Sequence, residues 1–183
     1  MNKWGALFFI LVFFTAQSPA AADGEKRLDV YVSQQKMVAS SGGKTLKAYP
    51  VSTSRYGIGN RLNSNQTPLG GHRIARKIGA GVPANTIFKN RVNTRTVSAI
   101  NLSARPSADD RITSRILWLE GLEPGVNKGK RVDSFKRQIY IHGTADEGLI
   151  GRPASHGCIR MRNADVLQLF DWAQVGTTVT IYP

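Results

Sequence analysis

The chain has 183 residues, a formal net charge of +13 and a single cysteine. That length allows one domain with a hydrophobic core of its own, and one cysteine excludes an internal disulfide framework. The basic residues are scattered and no nucleic-acid-binding motif accompanies them, so nucleic acid is not the expected partner; an anionic cell wall or membrane surface suits the charge better.

The first residues read as a secretory leader. Lys3 gives a basic start, residues 4–16 form a nearly unbroken apolar run, and Ser18, Pro19, Ala20, Ala21 and Ala22 precede the charged Asp23 and Glu25. This order matches a cleaved export leader, and the run is shorter than the roughly 20 residues of a membrane span. Cleavage after Ala22 is expected. It leaves a domain of residues 23–183 with a net charge of +12, because Lys3 is the only charged side chain lost. No membrane span is expected after it. No cysteine stands near the cleavage point, which excludes a lipid anchor there.

Along the remaining chain, Leu28, Val30 and Val32 alternate with polar residues as in a half-buried strand, and Met37 to Ala39 returns as its hairpin partner across Gln34 and Gln35. A turn at Gly42 and Gly43 leads into a strand reaching Thr53. Thr67, Pro68, Leu69 and Gly70 punctuate the chain before a strand from His72 to Ile78; His72 reads as a structural or rim-lining residue. Residues 79–111 are rich in Gly, Asn, Arg and Ser and read as a long loop or lid with short elements. Strands follow at Ile112 to Leu119 and Gln138 to His142. In the second, Ile139 and Ile141 face one way, Tyr140 and His142 the other. Asn163 is the expected N-cap of a helix whose apolar stripe is Val166, Leu167, Phe170 and Ala173. Gly176 ends it, and Val179 and Ile181 mark a last strand. Short strands, frequent turns and one convincing helix predict a mostly β domain, a sandwich or open barrel with one or two short helices.

The residues that carry chemistry are His142-Gly143 and, after a polar loop, Ser155-His156-Gly157-Cys158-Ile159-Arg160. An unpaired thiol in an exported chain is a hazard unless it has a use. At its ordinary pKa of about 8.5 only a few per cent is thiolate at neutral pH, so a base is needed. His142 and His156 both qualify. His142 is preferred, because a strand aims a base better than a turn does, and the carbonyl of Gly143 is the nearest group able to orient its ring. The expected product is a thiolate–imidazolium pair. Gly157 allows a sharp turn, and the N–H groups of Gly157 and Cys158 are natural oxyanion donors. The guanidinium of Arg160 suits a substrate carboxylate. Ser155 has the alternative of hydrogen-bonding the turn backbone. Zinc held by His142, His156 and Cys158 is a competing reading, but the spacing fits no familiar zinc pattern, so no metal and no cofactor are expected.

These residues resemble the signature of the YkuD-type L,D-transpeptidases: a His, a spacer, then Ser/Thr-His-Gly-Cys, a hydrophobic residue and Asn or Arg. Tyr49-Pro50-Val51-Ser52-Thr53, Thr67-Pro68-Leu69-Gly70 and Ile139-Tyr140-Ile141-His142-Gly143-Thr144 extend the resemblance across residues 27–182. The spacer here is short. The resemblance implies a YkuD-like fold and a periplasmic enzyme that attacks tetrapeptide stems of peptidoglycan. Cys158 would take the acyl group of the third residue, D-alanine would leave, and an amine acceptor would resolve the thioester as a 3→3 cross-link; water instead would give an L,D-carboxypeptidase. It also implies Cys158 as nucleophile, His142 as base, the Gly143 carbonyl as its orienter, Arg160 as a substrate-carboxylate contact and His156 as a support beside it. Ser155 and Tyr140 complete the expected substrate-facing set.

Overall fold

The computed structural model describes Met1 and residues 24–183. Except for Met1, the leader expected over residues 1–22 lies outside the described residues. Strands β1 (Lys26–Tyr31), β2 (Lys36–Ser41) and β3 (Lys44–Pro50) form a meander. They are followed by β4 (Gly70–Ile78), the hairpin β5 (Thr86–Lys89) and β6 (Val92–Val97), and the long β7 (Ile112–Gly121). Then come β8 (Tyr140–Thr144), β9 (Ile159–Met161), helix α1 (Asn163–Trp172) and β10 (Thr178–Tyr182).

All ten strands join one open sheet in the order β3-β2-β1-β10-β4-β7-β5-β6, with β8 on β7 and β9 on β8. The fold is mostly β with one α-helix, as the turn-rich sequence predicts, but it is a single bent sheet, not two separate layers. Two pairings are parallel, β1 with β10 and β8 with β9. The last strand is thereby inserted between the first and the fourth. The outer strand β3 is exposed along most of its length and carries Lys44 and Lys47, charges that discourage pairing with another chain.

Period-two patterning decides which side chains go inside. Leu28 and Val30, Met37 and Ala39, Val179 and Ile181, and Leu117 and Leu119 bury one face of the sheet against Val166, Leu169 and Phe170 of α1. Strand β7 is buried on both faces. Its alternate residues Ile116 and Trp118 join Phe88 and Tyr140 in a second cluster, against which Phe135 and Cys158 pack. Trp118 stacks on Phe135 with ring centroids 4.1 Å apart and meets Tyr140 edge-on at 5.4 Å. Ile139 and Ile141 belong to the first cluster and Tyr140 to the second, so the expected two-sided reading of this segment holds.

The helix starts differently from the expectation. Arg162, not Asn163, is the capping position, and no side chain of its own caps the helix. The backbone N–H of Asn163 donates instead to Glu147 Oε1 at 2.7 Å. The Asn163 side chain is buried and used to join elements. Its Oδ1 accepts from Thr113 Oγ1 (2.7 Å) and Ser114 Oγ (2.5 Å), and its Nδ2 donates to the Thr144 carbonyl and Glu147 (both 2.8 Å). Residues 79–111 contain the β5–β6 hairpin and then a strap, residues 98–111, without regular structure.

His72 is structural. It is fully buried, with Nδ1 2.9 Å from the Gly70 carbonyl and Nε2 2.9 Å from Ser134 Oγ. Burial pulls its pKa down to about 4, whereas the unfolded ring protonates near 6.5. The folded chain therefore binds fewer protons than the unfolded one between these values. Its contribution is complete above about pH 6.5 and is lost as pH falls through 4. Urea unfolding is expected to show a midpoint that falls from pH 6.5 to 4, with a loss on the order of 3 kcal/mol from this residue. A midpoint constant across that window would contradict the burial of a neutral ring.

Candidate active site

Register brings the sequence-distant residues together. In the parallel β8–β9 pair, Ile141 stands opposite Ile159 and His142 opposite Arg160, so Cys158, one residue before β9, lies beside Tyr140. The sulfur accepts from the Tyr140 backbone N–H and donates to the Gln138 carbonyl, each at 3.4 Å. Cys158 is partly exposed. His142, Cys158, Ser155, His156, Arg160, Ile112 and Asp110 line one small cavity of about 90 Å³.

His142 is only 2% exposed. Its Nδ1–H donates to the Gly143 carbonyl at 2.7 Å, which leaves Nε2 as the acceptor nitrogen of the neutral ring. The orienting role expected of Gly143 is thus geometrically in place. Gly143 also has to be a glycine for packing, since a Cβ there would lie 2.6 Å from Asn163 Oδ1 and 2.7 Å from the Thr113 carbonyl.

The turn bearing the thiol is braced from three sides. Gly157 has φ +117°, a conformation that favours glycine. Its carbonyl accepts from Thr67 Oγ1 at 3.1 Å, which gives the Thr67-Pro68 segment a purpose. Ser155 Oγ donates to the Cys158 carbonyl at 2.6 Å. Segment 51–54, continuing from β3, pairs with Arg160 and Ser155 through the Ser52 and Ser54 bridges.

Several expected roles change. The Gly157 N–H donates to Ser155 Oγ at 3.2 Å, so it is not free for an oxyanion. Ser155 is buried and ties the turn together through its hydroxyl. The Tyr140 ring is buried against Trp118, and its hydroxyl accepts from Arg91 Nη1 at 3.0 Å, so its side chain does not face the thiol cavity. Arg160 is 1% exposed. Its guanidinium is covered by a residue that no motif marks, Asp110, with which Nη2 forms an ion pair. His156 shares that partner, with Nδ1 2.9 Å from Asp110 Oδ2, and its ring lies against Tyr56. Among the described residues no three His, Cys, Asp or Glu side chains are placed to hold a metal ion. Nor is any helix there long and apolar enough to cross a membrane.

The electrostatics also correct the expected ion pair. Burial pushes the Cys158 thiol up to about 11, outweighing the Tyr140 N–H and the charges of Arg160 and Arg137. Burial likewise pulls His142 down to about 4, against the opposing pull of the Gly143 carbonyl and Asp110. Burial thus favours the neutral forms of both the thiol and the imidazole. Burial would raise the carboxyl of Asp110, but Arg160, His156 and His142 together hold it below the usual range, so it is ionised.

The sequence matches the YkuD family, described as an L,D-transpeptidase catalytic domain, over residues 25–181. The chain belongs to that family of L,D-transpeptidase catalytic domains. It is similar to the Bacillus licheniformis protein named "Putative L,D-transpeptidase YkuD", 46% identical over 61 residues, which are 33% of this chain and 37% of that protein. It is also similar to the Bacillus subtilis protein named "Putative L,D-transpeptidase YqjB", 51% identical over 69 residues, 34% of this chain and 39% of that one. The chain thus spans less than two fifths of either relative. Among solved structures, an L,D-transpeptidase from Mycobacterium smegmatis superposes with a TM-score of 0.53 at 16% identity, over 87% of this chain and 59% of that one. L,D-transpeptidase 3 from Mycobacterium tuberculosis, in complex with a faropenem-derived adduct, gives 0.53 at 16% identity over 86% and 60%. At such identities the likeness establishes the shared fold.

A neutral resting thiol has a simple signature. Alkylation of Cys158 by iodoacetamide is expected to be slow at pH 7 and to keep rising beyond pH 9, toward a thiolate pKa near 11. A rate already at its plateau by pH 8, followed by mass spectrometry, would show a standing ion pair instead.

Proposed function

We propose that this chain is an exported L,D-transpeptidase acting on peptidoglycan stems, with Cys158 as nucleophile and His142 as general base. The observation that carries the reading is the cavity shared by the sulfur and by an imidazole whose other nitrogen is fixed on the Gly143 carbonyl. A base with a locked tautomer beside a thiol is what acyl transfer to sulfur requires.

In the first half-reaction the Cys158 sulfur bonds to the carbonyl carbon of the third stem residue, a diamino acid. The thiol proton moves to Nε2 of His142, the carbon–nitrogen bond to D-alanine breaks, and the departing amine takes that proton. Because the resting pair is neutral, proton transfer accompanies attack and does not precede it. In this reading the backbone N–H of Cys158 donates to the oxyanion. In the second half-reaction an amine bonds to the thioester carbon, His142 takes its proton, and the sulfur leaves and is reprotonated. The acceptor is the side-chain amine of another stem, giving a 3→3 cross-link.

Export to the periplasm is supported by the leader pattern before Asp23 and by an unpaired thiol with a chemical use. The net positive charge favours residence beside an anionic wall.

Intact-protein mass spectrometry with a tetrapeptide donor tests the reading. An adduct on Cys158 equal to the donor less D-alanine is expected, absent in Cys158→Ala and formed 10²- to 10⁴-fold more slowly in His142→Ala. With an amine acceptor present, cross-linked dimers should accumulate. No adduct would refute the nucleophile, and shortened monomers without dimers would make the enzyme a carboxypeptidase.

A further inference from the structure

Resting on the transpeptidase reading, we infer that Asp110 is a built-in occupant of a substrate-carboxylate site, one that a donor displaces only by supplying a carboxylate of its own. Asp110 is therefore a specificity-determining residue, selecting donors whose leaving residue ends in a free acid.

The first observation is the pairing. One oxygen of Asp110 meets both Arg160 Nη2 and His156 Nδ1. Arg160 is almost wholly buried, its Nε already lacks a partner, and Asp110 is the one carboxylate paired with it among the described residues. A buried guanidinium stripped of its counter-charge is strongly destabilising. Withdrawal of Asp110 is thus opposed unless another carboxylate arrives, and a carboxylate-for-carboxylate exchange leaves the charge count around His142 and Cys158 unchanged. The departing residue of the donor carries its carboxylate close to the bond that breaks. Arg160 is correspondingly two residues from the nucleophile and lines the same cavity.

A second, independent observation concerns space. About 90 Å³ over the thiol holds roughly three waters, not a peptide. On the other side of Asp110 lies a cavity of about 550 Å³ between the strap and the hairpin, lined by Ile87, Phe88, Lys89 and Asn90 among others. Asp110 and Ile112 line both. With Asp110 withdrawn the two spaces join into a groove of the size that ligand sites have.

Only residues 108–111 of the strap lie between its fixed body and Ile112, which pairs with Phe88 and Thr144. That body is fixed elsewhere. The Asn101 N–H donates to the Ala145 carbonyl at 2.8 Å, the Gly148 N–H donates to the Asn101 carbonyl at 3.0 Å, and the Asp146 carboxylate accepts from Ser107 N–H at 3.1 Å. Beyond Ser107, the partner of Asp109 is Arg111 on the same segment, so Asp110 makes the attachment of this end to the catalytic cavity.

The test uses Cys158→Ala protein, which binds without reacting, and a tetrapeptide stem either free or amidated at its terminal carboxylate. Calorimetry is expected to show the free acid binding at least tenfold tighter. Hydrogen exchange in residues 107–111 should rise when the free acid binds. Equal affinities, or exchange unchanged or slowed, overturn the inference. In Asp110→Asn the Arg160 site stands open. Acetate is then expected to raise the melting temperature of the variant and not of the unsubstituted chain, and KM for the free acid should fall several-fold with kcat within about twofold. A loss confined to kcat would make Asp110 only a positioning residue and overturn the proposal. If Asp110→Asn does not fold, the binding and exchange measurements decide. Acylation of Cys158 by free and amidated donors alike would overturn this inference and leave the transpeptidase reading standing; no acylation by either would remove both.

Discussion

The hydrogen bond from His142 Nδ1–H to the Gly143 carbonyl sets the orientation of the base, and it exists because β8 is clamped between β7 and β9. A ring bonded to the backbone of its own neighbour needs that backbone to be immovable. Here the clamp is antiparallel on one side and parallel on the other. The Asn163 side chain closes its end by holding hydroxyls of β7 and the last carbonyl of β8 at once. The absence of a side chain at Gly143 lets these groups approach. Removing Asn163 would leave several buried polar groups unpaired, far from the sulfur but in direct line with the tautomer that the chemistry uses.

Burial that gives this precision also raises the thiol and lowers the imidazole. The site therefore does not hold a reactive thiolate while it waits. A protonated resting sulfur resists oxidation and off-target acylation. Reactivity then depends on what the substrate brings, which makes the occupant of the Arg160 site central to the enzyme's behaviour.

Alternating apolar residues made β1, β2 and β10 legible, because a half-buried strand writes its burial at every second position. The neighbourhood of Cys158 and His142 was signalled too: Cys158 is unique in the chain, and His142 lies in a patterned strand. What could not be read was anything set by non-local geometry. The parallel partnerships of β1 with β10 and β8 with β9 leave no mark on either strand alone. Asn163 has the right chemistry for a cap, and only the proximity of Thr113 and Thr144 turns it inward. The Gly157 N–H looks free until the Ser155 hydroxyl is found on it. Asp110 was invisible for a plainer reason. It is one acid in a segment without periodicity, 48 residues before the thiol, and its meaning comes wholly from the guanidinium it covers.

Placing β10 between β1 and β4 has a consequence for how the molecule comes into being. The meander of the first three strands reaches the rest of the sheet through this final segment, and the Tyr182 carbonyl accepts from the Val32 N–H across that seam. A chain made amino end first therefore cannot join its first three strands to β4 through the sheet until β10 is available.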